Sequence, residues 1–193
     1  MMRTAEEKGA TKETQIVCEI CLDGSGKSQI STGIGFFDHM LTSFAFHGGF
    51  DLNLSVKGDL EVDCHHTVED TGIVLGQAVL KALGDRKGIE RFASSFIPMD
   101  EALAFSSVDV SGRPFLVYDV AETQSRCGEY DVCMTEEFFR AFAVQTGITL
   151  HIRLLYGKNA HHITEAVYKS VARSLRQAFQ ITGSEVPSSK GML

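Results

Sequence analysis

The sequence predicts an α/β chain of the α+β two-layer type, made by internal duplication of a strands-helix-strand-helix unit. Three observations carry this reading. Period-two alternation rich in β-formers gives way to helical spacing in the same order in each half. The second helix of each half opens on the same motif, His65-His66-x-x-Glu69 and His161-His162-x-x-Glu165. The 193 residues, 44% of them hydrophobic, suffice for one sizeable core or two small, closely joined ones, so the repeats are expected to share a single compact domain. The expected divisions are a flexible N-terminus at 1–12, a first repeat at 13–93, a second at 94–182 and a C-terminal tail at 183–193.

Taken in order, residues 1–12 are polar and aperiodic and are expected to be poorly ordered. From Glu13, the run TQIVCEICLD alternates as a strand, Asp23-Gly24-Ser25-Gly26 marks a turn, and Ser28 to Thr32 is expected to return as a hairpin. Phe36 to His47 spaces Phe37, Met40, Leu41 and Phe44 as a helix and stops at Gly48-Gly49. Asp51 to Lys57 alternates as a strand. A helix follows from His65 to Leu83, with Val68, Ile73, Leu75, Val79, Leu80 and Leu83 as its apolar face. The second half repeats the plan: strands at Arg91–Pro98, Glu101–Val110 and Pro114–Val120, a helix at Thr135–Thr146 stopped by Gly147, and a strand at Ile148–Tyr156. Its last helix, His161–Gln180, sets Val167, Val171, Leu175 and Phe179 four apart.

A net charge of −7 and the lack of a long basic run argue against a nucleic-acid or anionic-membrane surface as the main partner. No stretch approaches the roughly 20 apolar residues of a membrane span, and the start lacks the apolar core of a signal peptide, so a cytoplasmic chain is expected. Five cysteines in a chain of this size read as reduced thiols.

The repeated motif carries the chemistry. Residues i and i+4 share a helix face, so His65 with Glu69, and His161 with Glu165, each offer a nitrogen and an oxygen to one ion. The second histidine of each doublet projects about 100° away and is free to reach another ion. If the two helices meet near a pseudo-dyad, His65, Glu69 and His162 serve one ion and His161, Glu165 and His66 the other. His39 and Glu137 stand 26 and 24 residues before the respective motifs, each on the first helix of its half, and are candidates for one further ligand each. Mixed imidazole and carboxylate donors suit Mn²⁺, Fe²⁺, Co²⁺ or Zn²⁺. A lone doublet is more often a surface accident; two copies in register within a repeat favour metal binding. His151 reads as structural, and His47 as a helix-end residue.

The runs GIGFFDHML, HHTVEDTGIVLGQA, GRP, YGKNAHHITEAVYKSVARSLRQA and the final PSSKG closely resemble the imidazoleglycerol-phosphate dehydratases of histidine biosynthesis, over nearly the whole chain from Glu13. The resemblance implies a duplicated fold with left-handed crossovers, like domain 2 of ribosomal protein S5, and assembly of trimers into a 24-subunit shell. It implies two manganese ions per active site, one on His39, His66, His161 and Glu165 and the other on His65, Glu69 and His162. Where some members have a further histidine ligand, this chain has Glu137. Glu13, His66 and Glu165 become the expected catalytic groups. Glu13, His39, His47, His65, Glu69 and His161 are expected to contact substrate, while Arg91, Arg113, Lys169, Ser188, Ser189 and Lys190 surround its phosphate beneath a closing tail.

The implied reaction removes water from D-erythro-imidazoleglycerol phosphate to give imidazoleacetol phosphate. The proton to be lost is not beside a carbonyl, so two cations on the ring nitrogens would stabilise an imidazolate able to expel the hydroxyl, leaving Glu13 as the candidate acid or base. Two rivals share the ligands: a structural shell whose ions cement subunits, and a two-metal phosphate-ester hydrolase. Gly24-Ser25-Gly26-Lys27-Ser28 imitates a phosphate-binding loop, but the required first glycine is Cys21. Cys18-x-x-Cys21 imitates a redox pair, yet three residues along a strand point the thiols to opposite faces.

Overall fold

The structure, a computed structural model, describes residues 2–121 and 123–191; Met1 and the last two residues of the expected tail lie outside them. The element order is β1(Thr4–Ala10), β2(Thr14–Cys21), β3(Ser28–Ser31), α1(Gly35–Gly48), β4(Asp51–Gly58), α2(His65–Leu83), β5(Phe92–Met99), β6(Ala102–Asp109), β7(Phe115–Asp119), β8(Arg126–Cys127), β9(Tyr130–Asp131), α3(Met134–Thr146), β10(Thr149–Tyr156) and α4(Ala160–Ala178). Two four-stranded sheets of matching order result, β1-β2-β4-β3 and β5-β6-β10-β7. In each, two adjacent parallel strands are joined through a helix, β3–α1–β4 and β7–α3–β10.

Two expectations about the first sheet are corrected. Residues 4–10, expected to be flexible, form β1 and pair with β2 from Thr4↔Cys21 to Ala10↔Gln15. Their inward positions are small or carry a long stem, Ala5, Glu7 and Gly9, so the strand hides its pattern; a Cβ on Gly9 would meet Val74 at 2.6 Å. The first repeat therefore starts before Glu13. Ser28–Ser31 is likewise not the second arm of a hairpin. β4 lies between β2 and β3, which pairs with it in parallel from Ser28↔Leu52 to Ser31↔Ser55.

Each half is a sheet-and-helix unit, and the halves meet through their helices, α2 against α3 and α1 against α4. A Cβ on Gly72 or Gly76 would stand 2.6 Å from the Phe138 carbonyl or 2.8 Å from that of Phe142, so α2 approaches α3 where it lacks side chains. Phe37, Phe44, Phe138, Phe142 and Tyr168 fill the shared core. Ile73 and Leu80, expected on the apolar face of α2, are only half-buried. Among the described residues the short β8–β9 pair has no counterpart in the first half.

Candidate metal centre

Among the described residues one cluster of potential metal ligands forms within the chain. His39 comes from α1, and His161 and Glu165 from the first turns of α4; their donor atoms lie within 4.8 Å of one another. Glu165 Oε2 is 3.7 Å from His39 Nε2 and 3.3 Å from His161 Nε2. The other carboxylate oxygen accepts a 2.6 Å bond from Lys169 Nζ, an i,i+4 ion pair along α4. Burial pushes the Glu165 pKa up, but the Lys169 bond and the nearby His39 and His161 outweigh it and hold it below the usual range. The carboxylate is thus ionised and aimed at two imidazoles, a donor set suited to a divalent transition metal. Phe36 meets the His161 ring edge-on at 5.0 Å and fixes its plane.

The first-half motif forms only its own pair, His65 Nε2 to Glu69 Oε2 at 3.3 Å. The expected interlock, with each second histidine joining the other motif, is not present within one chain. The reason is the helix pairing: α2 packs on α3 and α4 on α1, so the two motifs ride on different pairs. His66 instead lies against Asp59, Nδ1 to Oδ2 3.0 Å, with Nε2 3.8 Å from Glu13. His162 Nδ1 lies 2.6 Å from Glu101 Oε2, and its Nε2 3.5 Å from Asp100. The hydrogen bonds that Asp59 and Glu101 accept from these rings raise both histidine pKa values. Glu137 occupies the first turn of α3 as expected, but its carboxylate faces Arg140 Nε at 3.6 Å, while Glu136 also pairs with Arg140.

The expected phosphate residues fall into two groups. Asp109 joins Arg91 and Arg113, accepting from Arg91 Nε at 2.7 Å and from Arg113 at 3.3 Å. Arg91, with a left-handed φ of 75°, also donates to the Pro187 carbonyl at 2.8 Å, so the tail docks beside it. Ser188 Oγ accepts from the Lys190 backbone at 3.2 Å, and Ser189 and Lys190 are exposed. His47, near Lys169 and Arg173, has its pKa lowered by burial and by those two cations.

Sequence reasoning missed Asp59, Glu101 and Asp109, because an isolated acidic residue in a turn or strand has no periodic signature. Asn159 had one: it caps α4, its side chain accepting from His161 N at 2.9 Å and His162 N at 3.4 Å, and an Asn before an apolar-periodic run is a helix-start signal.

Fold and cluster define a duplicated α/β protein whose His/Glu donors could hold a metal ion. The family model "Imidazoleglycerol-phosphate dehydratase" matches residues 32–175. The dehydratase of Thermoanaerobacter pseudethanolicus is 56% identical over 194 residues, and that of Methylorubrum extorquens 54% over 195, each alignment covering 100% of both chains. The crystal structure of the Staphylococcus aureus N315 enzyme superposes with a TM-score of 0.84 at 40% identity, covering 93% of this chain and 99% of that one. The Pyrococcus furiosus structure, in complex with (S)-C348, gives 0.83 at 37%, covering 96% and 99%. The chain belongs to the imidazoleglycerol-phosphate dehydratase family, hydro-lyases of histidine biosynthesis.

Proposed function

We propose that this dehydratase converts D-erythro-imidazoleglycerol phosphate to imidazoleacetol phosphate with two manganese ions per active site, in a site completed by association of copies. The observation that carries the metal is the His39–His161–Glu165 cluster, whose two nitrogens and one ionised oxygen fit a divalent transition ion. When bound, the ions supply Lewis-acid stabilisation of negative charge on the substrate's imidazole ring. His39, His66, His161 and Glu165 would hold one, and His65, Glu69 and His162 the other, with Glu137 as a further candidate ligand.

Glu13, exposed at the β1–β2 turn and 3.8 Å from His66, would move a proton at the substrate carbons. Arg91, Arg113 and Lys169, with Ser188, Ser189 and Lys190 of the tail, would hold the phosphate, where the guanidinium fork suits two oxygens. His47, beside Lys169, would contact the substrate from the same side. Trimers assembled into a 24-subunit shell would let one copy's second histidine reach another copy's motif, supplying what a single chain leaves apart. Among the described residues no helix is long and apolar enough to cross a membrane; we read the chain as a cytoplasmic enzyme, and its net −7 charge gives an anionic membrane or nucleic acid no basic surface to bind.

The test is the absorbance of the acetol-phosphate enolate formed by chelator-stripped protein before and after Mn²⁺. Activity lost on stripping and restored by manganese is expected. No restoration, with two ions bound per chain and assembly intact, would overturn the manganese-dependent reading, and release of inorganic phosphate would favour the hydrolase.

A further inference from the structure

An imidazole has two nitrogens, and the partner of one decides whether the other is free to ligate. His66 and His162 show the same arrangement. Each presents Nδ1 to a carboxylate at hydrogen-bond distance, 3.0 Å to Asp59 and 2.6 Å to Glu101. Each turns Nε2 toward a second carboxylate beyond that distance, Glu13 at 3.8 Å and Asp100 at 3.5 Å. The partners are not copies of each other. Asp59 follows β4, whereas Glu101 immediately precedes β6, the place that Glu13 holds before β2. Duplication alone therefore does not account for the repeated bond.

We propose that Asp59 and Glu101 are positioning residues that hold the Nδ1–H of His66 and His162, leaving each Nε2 unprotonated as the donor that faces a metal. This rests on the two-metal reading above. The two carboxylates are anchored differently. Glu101 Oε1 also accepts from the backbone N–H of Lys158 at 3.1 Å and Asn159 at 2.8 Å, which ties the β5–β6 turn to the start of α4. Those backbone bonds, the Asn159 one foremost, and the His162 contact hold the Glu101 carboxyl at about 2. Asp59 spends both its oxygens on His66, at 3.2 and 3.0 Å. Replacing Asp59 thus isolates the histidine contact, whereas Glu101→Gln must choose between backbone donors and ring.

The experiment is Mn²⁺ titration, read by electron paramagnetic resonance of the free ion, alongside the Tm of the metal-free protein. Asp59→Ala is expected to weaken one of the two ions by about 10- to 100-fold with the metal-free Tm unchanged. Asp59→Asn, which keeps an acceptor oxygen, recovers most of that affinity, and Glu101→Gln weakens the other ion. Wild-type affinity in both Asp59→Ala and Glu101→Gln overturns the inference, as does a loss of affinity that only tracks a fall in Tm. If the wild type itself fails to bind two ions, the two-metal reading falls first and is told apart by that count.

Discussion

The two halves share a backbone plan and differ in what they turn outward. On the first sheet, cross-strand rows read Glu6–Glu19–Asn53–Gln29 and Lys8–Val17–Ser55–Ser31. On the second they read Phe96–Phe105–Arg153–Asp119 and Phe92–Asp109–Thr149–Phe115. Phe92, Phe96 and Phe115 are 55%, 60% and 62% exposed. The inward faces are held alike because each must pack on its own helices, while the outward faces were free to part. The polar sheet is complete in water. Under the assembly proposed above, the aromatic one is the face that another copy would cover.

The largest expected effect breaks this difference directly. Under the assembly reading, Phe96→Glu puts a charge into the aromatic row and is expected to cost association about 2 kcal/mol or more per copy, shifting the sedimentation profile to smaller species. Val17→Glu, at a matching height on the other sheet, is expected to leave the profile unchanged. Equal behaviour of the two variants would show that the aromatic face is not the one that copies share.

A smaller effect sharpens the comparison at the motifs. The Glu165 side chain is 9% exposed and bonded to Lys169, whereas Glu69 is 42% exposed and pairs with His65. Glu165→Ala should therefore destabilise the metal-free protein by about 1–3 kcal/mol, because it strands a partly buried ammonium. Glu69→Ala should stay within about 0.5 kcal/mol. Urea denaturation of the stripped proteins reads both. Similar losses would mean that the burial asymmetry does not set the energetics.

What the sequence made legible follows the same division. The motif helices were readable because i,i+4 donors and apolar spacing are local properties of one helix; α2 begins at His65 and ends at Leu83 as its pattern says. The His39–His161–Glu165 grouping required the repeat and the family resemblance together, since α1 and α4 are distant in the chain. The interlock is not made within one chain because helix pairing is decided by packing, here by the bare Gly72 and Gly76 surface of α2 against α3, which periodicity does not report. β1 was missed because its inward residues are not apolar enough to show alternation. Asp59 and Glu101 were silent because their role exists only once the histidines are in place.

That missed strand offers the smallest effect and a test of how firmly the polar sheet's edge is held. Arg3 donates to Asp23 through Nε at 3.1 Å and through NH2 at 2.5 Å, and to the Phe179 carbonyl at 2.8 Å, so it pins the start of β1 to the β2–β3 turn and the end of α4. The Arg3 side-chain bond, outweighing burial, lowers the Asp23 pKa. A carboxyl with a depressed folded pKa adds stability above its unfolded value, about 3.9, and loses it as pH falls through the folded value. The pair is partly solvated, so its worth is below about 1 kcal/mol. Asp23→Asn should melt slightly lower than the wild type at neutral pH, with the gap closing below about pH 4 as the wild-type carboxylate protonates. A gap that persists unchanged into acid would place the cost in the lost backbone bond from Arg3 N to Asp23 Oδ2, 2.8 Å long, and not in the ion pair.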